Sequence, residues 1–74
     1  MKDRVLAERV GDALRRRREA LGMSQEGFAD KIGMHRAYYG AVERGEMNLT
    51  LRTLKRVCVG LGVKMSELLK DADI

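Results

Sequence analysis

Proline is absent from this chain, and glycines stand where successive runs of helically spaced apolar residues give out. That punctuation is the strongest constraint on the fold, because it favours helices separated by short turns. Leu6, Val10, Leu14 and Leu21 recur at helical spacing, with Asp3 placed to cap the start of a first helix. Gly22 sits just past its end, where a residue without Cβ takes up the left-handed conformation at no steric cost. Ser24 suits the N-cap of a second helix, although Gly27 interrupts a Ser-x-x-Glu capping box. Phe28, Ala29 and Ile32 supply its apolar side, and it stops at Gly33. A third helix is expected from near His35, turning Tyr39 and Val42 inward and ending at Gly45. After a loop from Glu46 to Leu49, Thr50 caps a fourth helix. Its apolar face carries Leu51, Leu54, Val57, Cys58 and Leu61, and Gly60-Leu61-Gly62 closes it. A fifth, shorter helix covers about Met65 to Lys70 with Leu68 and Leu69, and the tail 71–74 is expected to fray. The expectation is an all-α fold of five helices in one domain, residues 1–74.

At 74 residues and 45% hydrophobic, the chain has apolar mass for one small core, which separates it from disordered sequences. Cys58 stands alone, so no intrachain disulfide can staple the domain, and oligomerisation is the remaining support for a core this small. One His and one Cys cannot complete a four-ligand zinc site, and His35 has no nucleophile suggested beside it. No cofactor, metal or enzymatic activity is therefore expected. No stretch approaches the roughly 18–20 apolar residues of a membrane span. Met1-Lys2-Asp3-Arg4, with charges at every turn beyond it, lacks the apolar stretch of a signal peptide. A reducing cytoplasm is the expected location, in a bacterium or encoded by a phage. Cys58 is either a small buried apolar residue or a redox switch.

Fifteen Lys and Arg against eleven Asp and Glu leave a net charge of +4, the balance of a chain that binds polyanions or merely solvates a helix face. Residues 24–48 nonetheless carry a local net of minus one. The excess lies in Arg15-Arg16-Arg17-Arg18 and in Arg52, Lys55, Arg56 and Lys64. Four consecutive residues cover a full helical turn, so at least one arginine of the run must lie along the core and find a partner.

Helices two and three are both short and are joined by only about three residues around Gly33. That is the geometry of a helix-turn-helix, in which the second helix enters the major groove while the first crosses the backbone. The residues sharpen this. Leu21-Gly22-Met23-Ser24-Gln25-Glu26, Phe28-Ala29, Lys31-Ile32-Gly33, Val42-Glu43-Arg44-Gly45 and Leu61-Gly62-Val63 through Ser66-Glu67-Leu68 resemble, in register over about 60 residues, the Cro/C1-type (XRE) helix-turn-helix family of DNA-binding regulators. His35 to Arg44 followed by Asn48-Leu49-Thr50-Leu51 is most similar to the controller proteins of restriction–modification systems. The resemblance implies a compact, lambda-repressor-like five-helix bundle with the helix-turn-helix at about 24–44.

It also implies roles by position. Ser24 is an N-cap, alone or with a phosphate contact, and Gln25 matches the family's phosphate-contacting glutamine. Arg36, near the start of the recognition helix, is placed to grip guanine O6 and N7, the plainer reading being a surface arginine. Ala37 and Ala41 fall on the same face, where short side chains touch a thymine methyl or permit close approach. Gly40 thins the same surface, so much of the specificity is expected from DNA shape. Tyr38 is expected to face DNA and Tyr39 the core. His35 is a phosphate contact or a cap. Arg44 and Asn48 flank the loop where the family meets backbone phosphate. The resemblance further implies a buried ion pair between Arg18 and Glu43. Met47, where related sequences carry a basic residue, removes one contact, and Lys64 stands where a Ser or Thr cap is common.

The function so implied is sequence-specific binding of double-stranded DNA by a transcriptional regulator, acting as a homodimer on a pseudo-palindromic operator. Leu49, Met65 and Leu69 form a candidate dimer patch or close the monomer's own core. The alternatives are an antitoxin, a phage-type repressor, or a protein–protein interaction module that does not bind DNA.

Overall fold

In the computed structural model, which describes residues 3–74, five helices follow one another: α1 Asp3–Ala20, α2 Gln25–Lys31, α3 Arg36–Glu43, α4 Leu51–Leu61 and α5 Met65–Asp71. There is no strand among the described residues. The cap expected from the Asp3 side chain lies outside the described residues. Three hydroxyl or imidazole caps set the later helix starts. Ser24 Oγ accepts from the Gly27 amide at 3.0 Å, His35 Nδ1 from the Ala37 amide at 3.2 Å, and Thr50 Oγ1 from the Thr53 amide at 3.1 Å. At α5, Lys64 supplies no side-chain acceptor, but Glu67 reaches back to the Lys64 amide at 3.0 Å and fills half of a capping box.

α1 packs against α3 and α5, α2 against α3, and α4 against α5, in a body 32 × 23 × 20 Å. Phe28 and Tyr39 meet at 5.2 Å between ring centroids, inclined by 56°, and Leu14, Val42, Val57, Cys58 and Leu68 close around them. Gly11 is where α1 and α3 touch backbone to backbone: a Cβ there would lie 2.4 Å from the Glu43 carbonyl oxygen.

Three expected core residues and the tail are placed differently. Leu6 and Leu21 are 40% and 49% exposed, the first toward the start of α1 and the second past its end. Ala13 is buried on α1 instead. Leu51 is 76% exposed, because at about 100° per residue it falls at the edge of the arc that Leu54, Val57, Cys58 and Leu61 share. The tail packs back onto the body of the fold. Ala72 is buried, Ile74 donates its amide to the Leu69 carbonyl at 3.1 Å, and Asp71 pairs with Arg17 at 2.5 Å across to α1.

The Tyr39 hydroxyl is buried beside Glu43 and Arg18, yet finds no hydrogen-bond partner among the described residues. Tyr39→Phe is therefore expected to leave stability unchanged or raise it by up to about 1 kcal/mol, since no bond is lost and a desolvated polar atom is removed. A thermal melt checks this, and a fall of several degrees would contradict it.

Candidate nucleic-acid interface

α2, a turn of Ile32 to His35 and α3 set two short helices in the order of a helix-turn-helix. Gly33 at φ +65° reverses the chain, and Met34 returns its amide to the Ala29 carbonyl at 2.9 Å before turning its side chain into the core. Tyr39 and Val42 bury the inner side of α3, which leaves Arg36 and Ala37 exposed and Ala41 and Tyr38 half-buried on its outer side. Tyr38 also packs partly on the core.

Behind α3 stands a buried ionic network. Arg18 grips Glu43 with both edges of a fork, Nε to Oε2 at 2.7 Å and Nη2 to Oε1 at 3.0 Å, and donates Nη1 to the Met23 carbonyl at 2.7 Å. Gln25 Nε2 donates to Glu43 Oε1 at 2.9 Å. Burial would push the Glu43 carboxyl up, but the hydrogen bonds from the Arg18 guanidinium and the Gln25 amide hold it below its ordinary range. Burial, then the Glu43 carboxylate, pushes the Tyr39 phenol far up. Gln25 is thus occupied in holding Glu43, an engagement that its position beside Ser24 alone does not reveal.

Both exposed arginines of the outer surface rest against carboxylates. Arg36 Nη1 lies 3.6 Å from Glu26 Oε2, and Arg44 meets Glu46 twice, Nε at 2.9 Å and Nη2 at 3.2 Å. Pairs this exposed are worth little, so an incoming anion displaces them at small cost. No signal in the sequence joins Glu26 to Arg36, ten residues apart; the fold does. Asn48 is exposed and shares an apolar groove of about 270 Å³ with Leu49, Leu69, Leu6, Met47 and Ile74. Met65 is half-buried and does not line that groove. His35 caps α3, as described, and Cys58 is buried with its thiol pushed up by burial. Among the described residues no cluster of His, Cys, Asp and Glu is arranged for a metal, and no helix is long and apolar enough to cross a membrane.

This architecture defines a class, and the chain belongs to the HTH_3 helix-turn-helix family, whose profile matches residues 14–68. Within it, the chain is similar to the control protein C.MunI of a Mycoplasma species, at 39% identity over 66 residues covering 88% of this chain and 89% of that one. It is also similar in structure to the restriction–modification controller protein C.AhdI from Aeromonas hydrophila, with a TM-score of 0.80 and 37% identity over 84% of this chain and 94% of that one. The controller protein C.Esp1396I, solved as a tetramer in complex with its natural 35 base-pair operator, matches with a TM-score of 0.79 and 30% identity over 93% and 96% of the two chains.

Proposed function

We propose that this protein is a sequence-specific, double-stranded DNA-binding transcriptional regulator of the restriction–modification controller kind, acting as a homodimer in the cytoplasm and not as an enzyme. The observation that carries the reading is the outer side of α3, where Arg36, Ala37 and Ala41 stand clear of the core while Tyr39, Val42 and Glu43 anchor the helix from behind. A relative similar over nearly the whole chain was solved in complex with its operator, which supports the DNA-binding reading.

In this reading Arg36 reads a base edge and the short side chains of Ala37 and Ala41 admit the duplex closely. Tyr38, Arg44 and Asn48 flank it toward the phosphates, with Ser24 and Gln25 at the start of α2 and His35 at the start of α3. Gln25 keeps one Nε2 hydrogen on Glu43 and donates the other to phosphate. The dimer forms through the apolar surface around Leu49 and Leu69, with Met65 nearby on α5, and sets two recognition helices about 34 Å apart on a pseudo-palindrome.

Selection from a random duplex library, followed by titration of salt, tests the function. A recovered two-fold symmetric site whose affinity falls steeply with salt is expected. Recovery of no preferred site, or binding indifferent to salt, would overturn the proposal. Arg44→Ala is expected to weaken binding to every duplex alike and to make the salt slope shallower by about one unit. An unchanged slope would remove Arg44 from the phosphate contacts.

A further inference from the structure

α2 and α4 each cap the other's end. Arg56 on α4 donates Nε to the Ile32 carbonyl at 2.9 Å and Nη2 to the Gly33 carbonyl at 2.5 Å. Lys31, in the last turn of α2, sends Nζ to the Gly60 carbonyl at 2.9 Å, near the end of α4. Carbonyls at a helix end have no donor within the helix. Among the described residues neither Arg56 nor Lys31 is held in an ion pair with a carboxylate, so their charge is directed at backbone oxygen. The two helices also approach very closely here: a Cβ on Gly60 would lie 2.3 Å from Ile32 Cγ2.

Ile32 and Gly33 are the residues through which the chain passes from α2 into the turn before α3. A planar guanidinium bonded to both of their carbonyls fixes the planes of two consecutive peptide units, which a rotating ammonium cannot do. We propose that Arg56 is a positioning residue for DNA recognition: it sets the direction in which α3 leaves the turn, and so where Arg36, Ala37 and Ala41 stand against the bases, without touching DNA itself. The inference rests on the DNA-binding function proposed above.

The test compares Arg56→Met and Arg56→Lys with the parent protein on the preferred duplex and on a scrambled one across a salt series. Amide hydrogen exchange at Gly33, Met34 and Ala37 is followed alongside a thermal melt. Loss of two charge-assisted bonds is expected to lower affinity for the preferred duplex about tenfold. The scrambled duplex and the salt slope stay as they were, exchange in the turn quickens, and Lys fails to rescue. Equal losses on both duplexes with a shallower slope would make Arg56 a phosphate contact and overturn the proposal. Undiminished affinity for the preferred duplex, or rescue by Lys, would overturn it as well. Should the parent protein prefer no duplex at all, the regulatory reading falls, and unchanged exchange in the turn of Arg56→Met is then the result that overturns the clamp.

Discussion

Glu43→Ala is expected to cost about 3–5 kcal/mol, because it leaves the Arg18 guanidinium buried without its counter-charge. A domain of this length holds about 4–11 kcal/mol in all, so the variant stands at or near the edge of unfolding at room temperature. The cost has two sources. Arg18 keeps only its bond to the Met23 carbonyl, and Gln25 loses the oxygen to which it donates. Replacing both partners at once, as in Arg18→Met with Glu43→Leu, removes both charges and is expected to return most of the loss. Urea denaturation of the two variants checks this; Glu43→Ala with a midpoint close to the parent's would refute it. The same network sets a pH profile. Glu43 has a folded-state pKa below its ordinary value of 4.5, so its contribution is whole above that value and is lost as acid protonates the folded carboxylate. Tyr39 has a folded-state pKa above its ordinary 10.0, chiefly through burial, so it adds no pH dependence below 10.0 and favours the unfolded chain, where it ionises more readily, as the pH climbs higher. Stability is therefore expected to be level between these limits and to fall on both sides.

The second large effect belongs to the outer side of the same helix. Arg36→Ala is expected to cost about 1–3 kcal/mol on the preferred duplex and to relax the base preference at one position of each half-site. Its partner in the free protein, Glu26, is as exposed as Arg36 itself, so the loss in folding stability is small and the two variants separate cleanly: Glu43→Ala fails in the melt, Arg36→Ala fails on DNA. Competition binding against duplexes substituted at single positions is the measurement. A uniform loss on all of them would assign Arg36 to phosphate rather than to a base.

Much of the fold is legible in the sequence because its signals are local. Ser24, His35 and Thr50 sit where caps belong, and Gly22, Gly33, Gly45 and Gly62 take positive φ at the turns. The apolar arcs are less legible at their ends, where spacing cannot say whether the neighbouring helix reaches that far; Leu6, Leu21 and Leu51 are the result. The pairing of Arg18 with Glu43, 25 residues apart, came from family resemblance rather than from spacing. The carboxylates at Arg36 and Arg44, the seat of Gln25 on Glu43 and the grip of Arg56 on the turn depend on which side chains the tertiary fold brings together. Gly11 left one usable trace: a glycine inside a helix weakens it by up to about 1 kcal/mol, so its presence asks for a neighbour too near for a methyl group.

That contact has a mechanical consequence. With the α1 backbone pressed against the Glu43 carbonyl and Arg18 bolted to the Glu43 side chain, α3 cannot tilt without carrying α1 along. The two behave as one stiff part, so much of the compliance the complex needs falls to the double helix. Sites with easily bent steps at their centre will then be favoured over rigid ones bearing identical contacted bases.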